Sequence, residues 1–511
     1  MTGWTFGLPG FIQLKEISMK FALDGEMSAY VDKYTIEKMG LSSLVLMERA
    51  ALSVATKVAE VAVNFTHDVN IAVVCGCGNN GADGIAVARI LSWQGLKVDI
   101  IVVGDRTKAT EEFLYQEKIA INSGLTFGNP KRLSEYYIIV DAIFGVGLKR
   151  DIEGEYTDIV NAINQGNNYV ISVDIPTGIC SATGQIRKVA IKANSTITFG
   201  YHKIGMLLYP GREYAGEVTV SDIGFNPMAV NDIKPAMYFV PTDLRGIPER
   251  INYSNKGTYL RTLVIAGSED MSGAAFLSAK AAYRCGVGIV EIYSHYKNSD
   301  ILKKLLPEAI VTGYSDETAV SLLMDKMKSA DIIILGPGLS TWETATKIVK
   351  TVLENATVPL IIDADALNII SSDTQMLKSC ESTVIITPHI GEMRRLTGLD
   401  KNAILTDIIG CAKKFSDEHG VICVLKDAAT IVTEPNTGRV YINTSGCGAM
   451  SKAGCGDVLT GVIAAMISLK LEPFSASAMG VYVHGIAGER AVEGRNEHSL
   501  LASDIIDYLL D

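Results

Sequence analysis

Apolar residues recur at three- and four-residue spacing through 26–66, in "YTIEKMGLSSLVLMERAALSVATKVAE", and this spacing predicts one long helical region. Beyond it the pattern switches repeatedly between short apolar runs and helical spacing. "NIAVVCG", "KVDIIVVG", "YYIIVDAIFG", "YVISVDIPTG", "ANSTITFG" and "EVTVSDIG" read as strands, while "DGIAVARILSWQG" and "EEFLYQEKIAINSG" read as helices. Strands separated by helices cannot be joined by tight hairpins, so they pair through right-handed crossovers into a mostly parallel sheet.

The alternation stops around 226–258, a stretch with four of the chain's fourteen prolines and no sustained period. It then restarts with "LRTLVIAGS", "GAAFLSAKAAYRCG", "GIVEIYS", "ADIIILGPG", "VPLIIDADAL", "TVIITPH" and "GVICVLKDAATIV", and closes with helices from Val458. The expectation is an α/β protein of two tandem three-layer domains, 19–235 and 236–511, with no short repeat or low-complexity segment. A length of 511 residues agrees with two or more cores.

Composition narrows the partners. At 48% hydrophobic and 20% charged the chain has a globular profile, and a net charge of −11 argues against a nucleic-acid partner. The longest apolar stretch, "VLTGVIAAMISL", is too short to span a bilayer, so no membrane partner is expected. The opening "MTGWTFGLPGFIQ" lacks a basic region followed by an apolar run, so it is not read as a secretory signal. Met19 is expected to be the true start, with residues 1–18 dispensable. Nine cysteines are scattered without zinc-like spacing, Cys75 and Cys77 included, which fits reduced thiols and a cytoplasmic protein.

The candidate chemistry lies where parallel strands end. "VVCGCGNNGADG" holds G-x-G-x-x-G at Gly76, Gly78 and Gly81, between a strand and a helix expected to begin near Gly84. In a dinucleotide-binding fold that turn offers bare backbone to a pyrophosphate, yet here it carries Asn79, Asn80 and Asp83. A carboxylate at a helix start would repel the anion. Asp105 is the one candidate for the acidic residue that binds ribose. Ligands of open parallel sheets sit at the carboxyl ends of strands. Three loops fall there, "GCGNNGADG", "DAIFGVGLKRD" and "VDIPTGI", and they gather Asn79, Asn80, Asp83, Asp141, Asp174 and Thr177. Such amides, carboxylates and hydroxyls suit a hard cation or ribose hydroxyls; tight turns with Asp and Asn as helix caps are the competing reading.

Together "SLVLMERAA", "GCGNNGADG", "VDAIFGVGLKRDIEG" and "VDIPTGI" resemble the YjeF N-terminal family, the NAD(P)H-hydrate epimerases, over roughly residues 24 to 230. The resemblance implies a Rossmann-like sheet. It implies that Asn79, Asn80, Gly81, Ala82 and Asp83, the run Gly145, Val146, Gly147, Leu148, Lys149, Arg150 and Asp151, and also Tyr156 and Asp174 bind the hydrated dinucleotide. Asp174 is the catalytic candidate, and potassium is implied at Asn80, Asp141 and Thr177. Ala82 stands where the family has Gly.

In the second half, "DADAL" supplies Asp363 and Asp365, "TPHIGE" His389 and Glu392, and "VLKDAATIV" Lys426 and Thr430. In "GCGAMSKAGCGDVLTGVIAAMISL", Gly454, Cys455 and Gly456 lead into a helix whose free N–H groups form an anion hole. Asp457 then sits beside the anion, where a carboxylate can take a proton from an attacking hydroxyl; a helix-dipole partner is the alternative. Several readings stay open. His389 is either a hydrogen-bonded structural residue or a catalyst, Asp363 and Asp365 are metal ligands or turn formers, and Lys426 is in a nucleotide site or solvated.

"GCGDVLTG" resembles the anion-hole signature of ribokinase-like enzymes. With "GSEDMSGAA", "GPGL", "DADAL", "TPHIGEMRRL" and "LKDAATIV", residues 240 to 511 resemble the YjeF C-terminal family, the ADP/ATP-dependent NAD(P)H-hydrate dehydratases. Here the resemblance implies that Ala275, Gly338, His389 and Asp457 face the hydrated dinucleotide. It assigns the adenine nucleotide to Lys426, Asp427, Ala428, Ala429, Thr430 and Gly456, and the role of base to Asp457. Asp427, Ser451 and Cys455 depart from the family pattern.

The combined expectation is a bifunctional repair enzyme for NADHX and NADPHX, the forms hydrated at C6 of the nicotinamide ring. One half would interconvert R and S epimers. The other would phosphorylate the S hydroxyl from ADP or ATP with Mg²⁺ and eliminate phosphate. A homo-oligomer is expected. The rivals are a ribokinase-like vitamin or sugar kinase fused to a nucleotide-binding module, and a non-catalytic nucleotide-binding protein.

Overall fold

The computed structural model describes residues 19–65 and 69–510, so the expectation about residues 1–18 lies outside the described residues. The chain forms two compact units, one of residues 21–236 and one of residues 237–510 that also takes in residues 19–20.

The first unit opens with β1 (Lys20–Leu23), α1 (Gly25–Lys33) and α2 (Ser43–Ala62). The single long helical region expected at 26–66 is broken. A π-helical turn, Tyr34–Lys38, follows α1, and Gly40 takes a positive φ of 76° that ends the run before α2 starts. Then come β2 (Asn70–Cys75), α3 (Asn79–Trp93), β3 (Lys97–Val102), α4 (Glu111–Asn122), β4 (Thr126–Phe127), β5 (Ile138–Ala142) and α5 (Glu155–Gln165). The unit closes with β6 (Tyr169–Val173), β7 (Ser195–Phe199), β8 (His202–Lys203), α6 (Gly211–Ala215) and β9 (Glu217–Ser221). Seven strands form one sheet in the order β4-β3-β2-β5-β6-β7-β9, parallel throughout; β1 pairs with β8.

Strand alternation builds three layers. Ile71, Val73 and Cys75 of β2 pack with α2, α3 and α4, whereas Ala72 and Val74 pack with Ile159, Val160 and Ile163 of α5. The order reverses between β2 and β5, so the loops after these two strands flank a topological switch point.

One boundary is corrected here. The helix expected near Gly84 begins at Asn79, with Gly78 as its N-cap. The glycines read as turn formers serve close packing instead: a Cβ on Gly81 would lie 1.7 Å from the Gly76 carbonyl oxygen. Ala82 is fully buried in the core around α3.

The stretch around 226–258 consists of short 3-10 turns and β10 (Ala236–Tyr238). The second unit continues with β11 (Arg261–Ile265), α7 (Ser272–Arg284), β12 (Ile289–His295), α8 (Ser299–Leu305), β13 (Ile310–Tyr314), α9 (Ala319–Met327) and β14 (Ile332–Leu335). After these come α10 (Glu343–Asn355), β15 (Leu360–Ile362), α11 (Asp365–Ile370), β16 (Val384–Ile386), α12 (Ile390–Thr397), α13 (Lys401–Thr406) and α14 (Ile408–His419). The unit ends with β17 (Ile422–Leu425), β18 (Ile431–Thr433), β19 (Val440–Ile442), α15 (Cys455–Ser468), α16 (Pro473–Val492) and α17 (Ala502–Asp507). Strands run β13-β12-β11-β14-β15-β16-β17 in parallel, and β18 and β19 add antiparallel. The segment "GVICVLKDAATIV" forms a hairpin whose turn is 426–430. Among the described residues no helix is long and apolar enough to cross a membrane.

Candidate active sites

In the first unit the strand-end loops border a cavity of about 750 Å³. Ten of the expected residues line it: Asn79, Asn80, Asp83, Asp174 and the run Gly145, Val146, Gly147, Leu148, Lys149 and Arg150. Gly81 and Ala82 instead pack inward, Asp151 is exposed away from the cavity lining, and Tyr156 stacks on Phe144 at 4.8 Å between ring centres. Asp105 caps a 3-10 turn through Thr107 and does not line the cavity, so the search for a ribose-binding acid there fails.

Asp174 is locked. It takes a positive φ of 66°, and its Oδ1 accepts from Lys203 Nζ at 2.7 Å, Thr198 Oγ1 at 3.1 Å and the Phe199 N–H at 3.1 Å. Non-glycine residues pay about 1–3 kcal/mol for such backbone, and the three donors hold it in place. Lys203 was not among the expected residues. It lies 2% exposed, with its ammonium also donating to Thr198 Oγ1 and to the Phe199 and Tyr201 carbonyls. It follows β7 in "GYHKIG", a fourth strand-end loop, and the rule that picked the other three would have found it. Asp32, on α1, also faces the cavity and had no such signal.

The α3 boundary changes the meaning of Asp83. It stands on the second turn, clear of the helix start, so it does not oppose an anion at the uncapped N-terminus. Its carboxyl opens to the cavity but is otherwise enclosed by protein. That burial, with Asp174 and Asp32 nearby, pushes its pKa well above the usual carboxylate range.

Asp141 and Thr177 meet beneath the cavity. Asp141 is fully buried and accepts from Thr177 Oγ1 at 2.7 Å, the Thr177 N–H at 2.9 Å and Ser172 Oγ at 2.8 Å. Burial raises its pKa against these donors. Asn80 has a buried Nδ2 with no hydrogen-bond partner.

In the second unit the site forms around the start of α15. Gly454 has a φ of 91° and caps the helix with no side chain, leaving the first-turn N–H groups open. Lys426 and Asp363 close on the helix start at Gly456, where a Cβ would lie 3.1 Å from Lys426 Nζ and 3.4 Å from Asp363 Oδ2. Lys426 is thus not a solvated lysine: it pairs with the buried Asp363 at 2.7 Å. Asp365 opens α11 and ties it to a distant loop, accepting the Ser340 N–H at 2.8 Å.

The backbone carbonyl of Asp457 accepts from Ser278 Oγ at 2.9 Å and Thr460 Oγ1 at 2.7 Å, while its carboxylate accepts no hydrogen bond from the described residues. Burial first, then Asp363, Asp365 and Glu392, raise its pKa to about 7 against the opposing pull of Lys426. A carboxylate near 7 is suited to general-base work at neutral pH.

His389 caps α12: its Nδ1 accepts the Gly391 N–H at 2.9 Å and the Glu392 N–H at 3.3 Å. Burial and the cations Lys426 and Arg395 keep it neutral. Ala275 and Gly338 are both buried, Ala275 completely, so the structure does not bring the Ala275 side chain to the site surface. The 426–430 turn exposes Asp427 and Ala428 while Ala429 and Thr430 face inward. Cys455 packs into the core, with its thiol pushed up by burial.

Both units thus place carboxylates at the ends of parallel strands beside an uncapped helix start, the arrangement of α/β proteins that hold phosphorylated ligands. The YjeF-related protein N-terminus family matches residues 43–205, and the NAD(P)H-hydrate dehydratase family matches residues 262–510. The bifunctional NAD(P)H-hydrate repair enzyme Nnr of Thermofilum pendens is 34% identical over 509 residues, covering 96% of this chain and 95% of that one. The Escherichia coli enzyme of the same name is 30% identical, covering 86% and 84%. A solved ADP/ATP-dependent NAD(P)H-hydrate dehydratase from Bacillus subtilis, co-crystallised with ATP/Mg²⁺, is 33% identical over 53% of this chain and 95% of that one, with a TM-score of 0.48. The chain belongs to the family of bifunctional NAD(P)H-hydrate repair enzymes.

Proposed function

We propose that the two sites act in turn on one damaged cofactor, NADH or NADPH hydrated at C6 of the nicotinamide ring. The cavity at the β2–β5 switch point epimerises the R and S hydrates; the α15 site dehydrates the S form with ADP or ATP. The observation that carries the reading is the Asp457 carboxylate, unpartnered beside an open helix start and shifted to about 7.

In this mechanism Asp457 takes the proton of the C6 hydroxyl as that oxygen attacks the terminal phosphorus of the nucleotide. The N–H groups at the start of α15 receive the transferring phosphoryl group. Lys426, pinned by Asp363, adds positive charge beside Gly456. Mg²⁺ bound with the nucleotide supplies charge neutralisation on its phosphates. Departure of phosphate from C6 with loss of a C5 proton restores the reduced nicotinamide. His389, neutral and capping α12, positions that loop against the dinucleotide. The exposed turn at Asp427 and Ala428 is assigned to the adenine end.

Potassium belongs to Asn80, Asp141 and Thr177. The buried Asp141 carboxylate, the Thr177 hydroxyl oxygen and the Asn80 amide, whose unpartnered nitrogen leaves it free to turn its oxygen inward, are the oxygen ligands such a cation takes. Epimerisation compared in potassium and sodium buffers tests this, and equal rates would contradict it. All nine cysteines are free thiols, which supports a cytoplasmic location. Exposed Val45, Leu52, Trp93 and Tyr115 on α2, α3 and α4 support a homo-oligomer, which a single-chain mass in light scattering would contradict.

The test of the whole reading is incubation of pure protein with mixed hydrates, with and without each nucleotide, following both epimers by chromatography. Epimerisation without nucleotide and full conversion to NAD(P)H with it are expected. A stable phosphorylated product would favour the kinase reading.

A further inference from the structure

The first cavity is lined by four carboxylates, Asp32, Asp83, Glu112 and Asp174, and among them only Asp174 is tied to a base. Asp174 is spent: one oxygen takes three donors, an ammonium among them, and its backbone is fixed. Such a group is fixed in place by its ion pair and hydrogen bonds. Asp83 is the opposite case. It projects from the rigid second turn of α3, and its carboxyl accepts no hydrogen bond from any described residue while lining the same cavity. Two carboxyl groups of one site, one locked as a charged pair and one free and desolvated, are the arrangement from which acid and counter-charge are assigned.

We propose that Asp83 is the general acid–base of epimerisation and that the Asp174–Lys203 pair is a positioning charge rather than the proton carrier. The inference rests on the hydrate-epimerising reading of this cavity. In the forward step the ring N1 lone pair forms the N1=C6 bond as the C6–O bond breaks, and Asp83 gives its proton to the departing hydroxyl, which leaves as water. The cationic ring then faces Asp83 and Asp174, both carboxylates. A water adds to the opposite face of C6, the N1=C6 π pair returns to N1, and the surplus proton passes through cavity water back to Asp83. Protonation state and atoms are restored, and only the configuration at C6 has changed. Burial and the neighbouring carboxylates Asp174 and Asp32 raise the Asp83 pKa, the direction that favours giving a proton in the first step.

The test uses the full chain and pure R hydrate without nucleotide. Asp83→Asn is expected to lower the epimerisation kcat about 10²–10⁴-fold with KM near that of the parent. Asp83→Ala leaves room for a small carboxylic acid, and added formate is expected to restore part of its rate. Formate rescue also demonstrates that the variant is folded. Asp174→Asn is not expected to respond to formate. Asp83→Asn epimerising within a few-fold of the parent would overturn the proposal, as would formate rescue of an Asp174→Ala variant with none of Asp83→Ala. A parent protein that epimerises no hydrate would instead overturn the assignment of the cavity itself.

Discussion

Asp457 shows how a single carboxylate acquires its chemistry from its surroundings. Its neighbours pull in opposite directions: Asp363, Asp365 and Glu392 hold its proton on, and Lys426 helps it off. Since the carboxylate is the active form, dehydration is expected to rise with pH through about 7 and to fall away below it. Lys426→Met removes the cation that lowers this pKa, so the rising limb is expected to move to higher pH at saturating nucleotide. A kcat profile whose limb stays in place would show that Lys426 does not act on the base. The position of Asp457 on the first turn of a helix with an open start was legible in the sequence, because three small residues lead directly into the apolar run. The Lys426–Asp363 pair was not, because the two residues are 63 positions apart and meet only when β15 and β17 take their places in the sheet.

Among the elements, α3 is the one that sequence patterning misplaced. Its first turn contains Asn79, Asn80 and Gly81, residues with poor helix propensity that favour turns and caps. Packing overrides the propensity: Gly81 sits against the Gly76 carbonyl, and Gly84 lies close to Ala142 and Cys75. The start of α3 is therefore held against the ends of β2 and β5. Gly81→Ala is expected to destabilise the first unit by about 1–3 kcal/mol or more, because its Cβ would meet rigid backbone. Thermal unfolding followed together with both activities checks this: loss of epimerisation with dehydration retained is expected. An unchanged melting transition would mean that the loop yields without cost. The long region at 26–66 failed for a related reason, since the apolar period continues across Gly40 while the backbone does not.

At the scale of the molecule, the repeated strand–helix alternation made two parallel α/β units readable from the order of apolar runs alone. The antiparallel β18 was not, because a short turn at 426–430 carries no glycine or proline to mark it; the turn into β19 does carry them, at Pro435 and Gly438. The two units divide between Ala236 and Met237, each with its own buried core, and each is expected to fold alone. Residues 19–235 expressed by themselves are expected to epimerise R and S hydrates without nucleotide. An unfolded fragment, or a folded one unable to epimerise, would contradict that independence.

The central claim is that one chain holds two separate chemistries for one damaged cofactor, and Asp457→Asn addresses both at once. The substitution keeps size and helix position and leaves the N–H groups around Gly456 intact, so nucleotide binding is expected to persist. Mixed hydrates with ATP and Mg²⁺ would be followed by chromatography against the parent enzyme. The account predicts dehydration slowed by at least about 10²-fold while R and S forms equilibrate at the parent rate. Dehydration of the S hydrate within a few-fold of the parent, or equal loss of both activities, would contradict it.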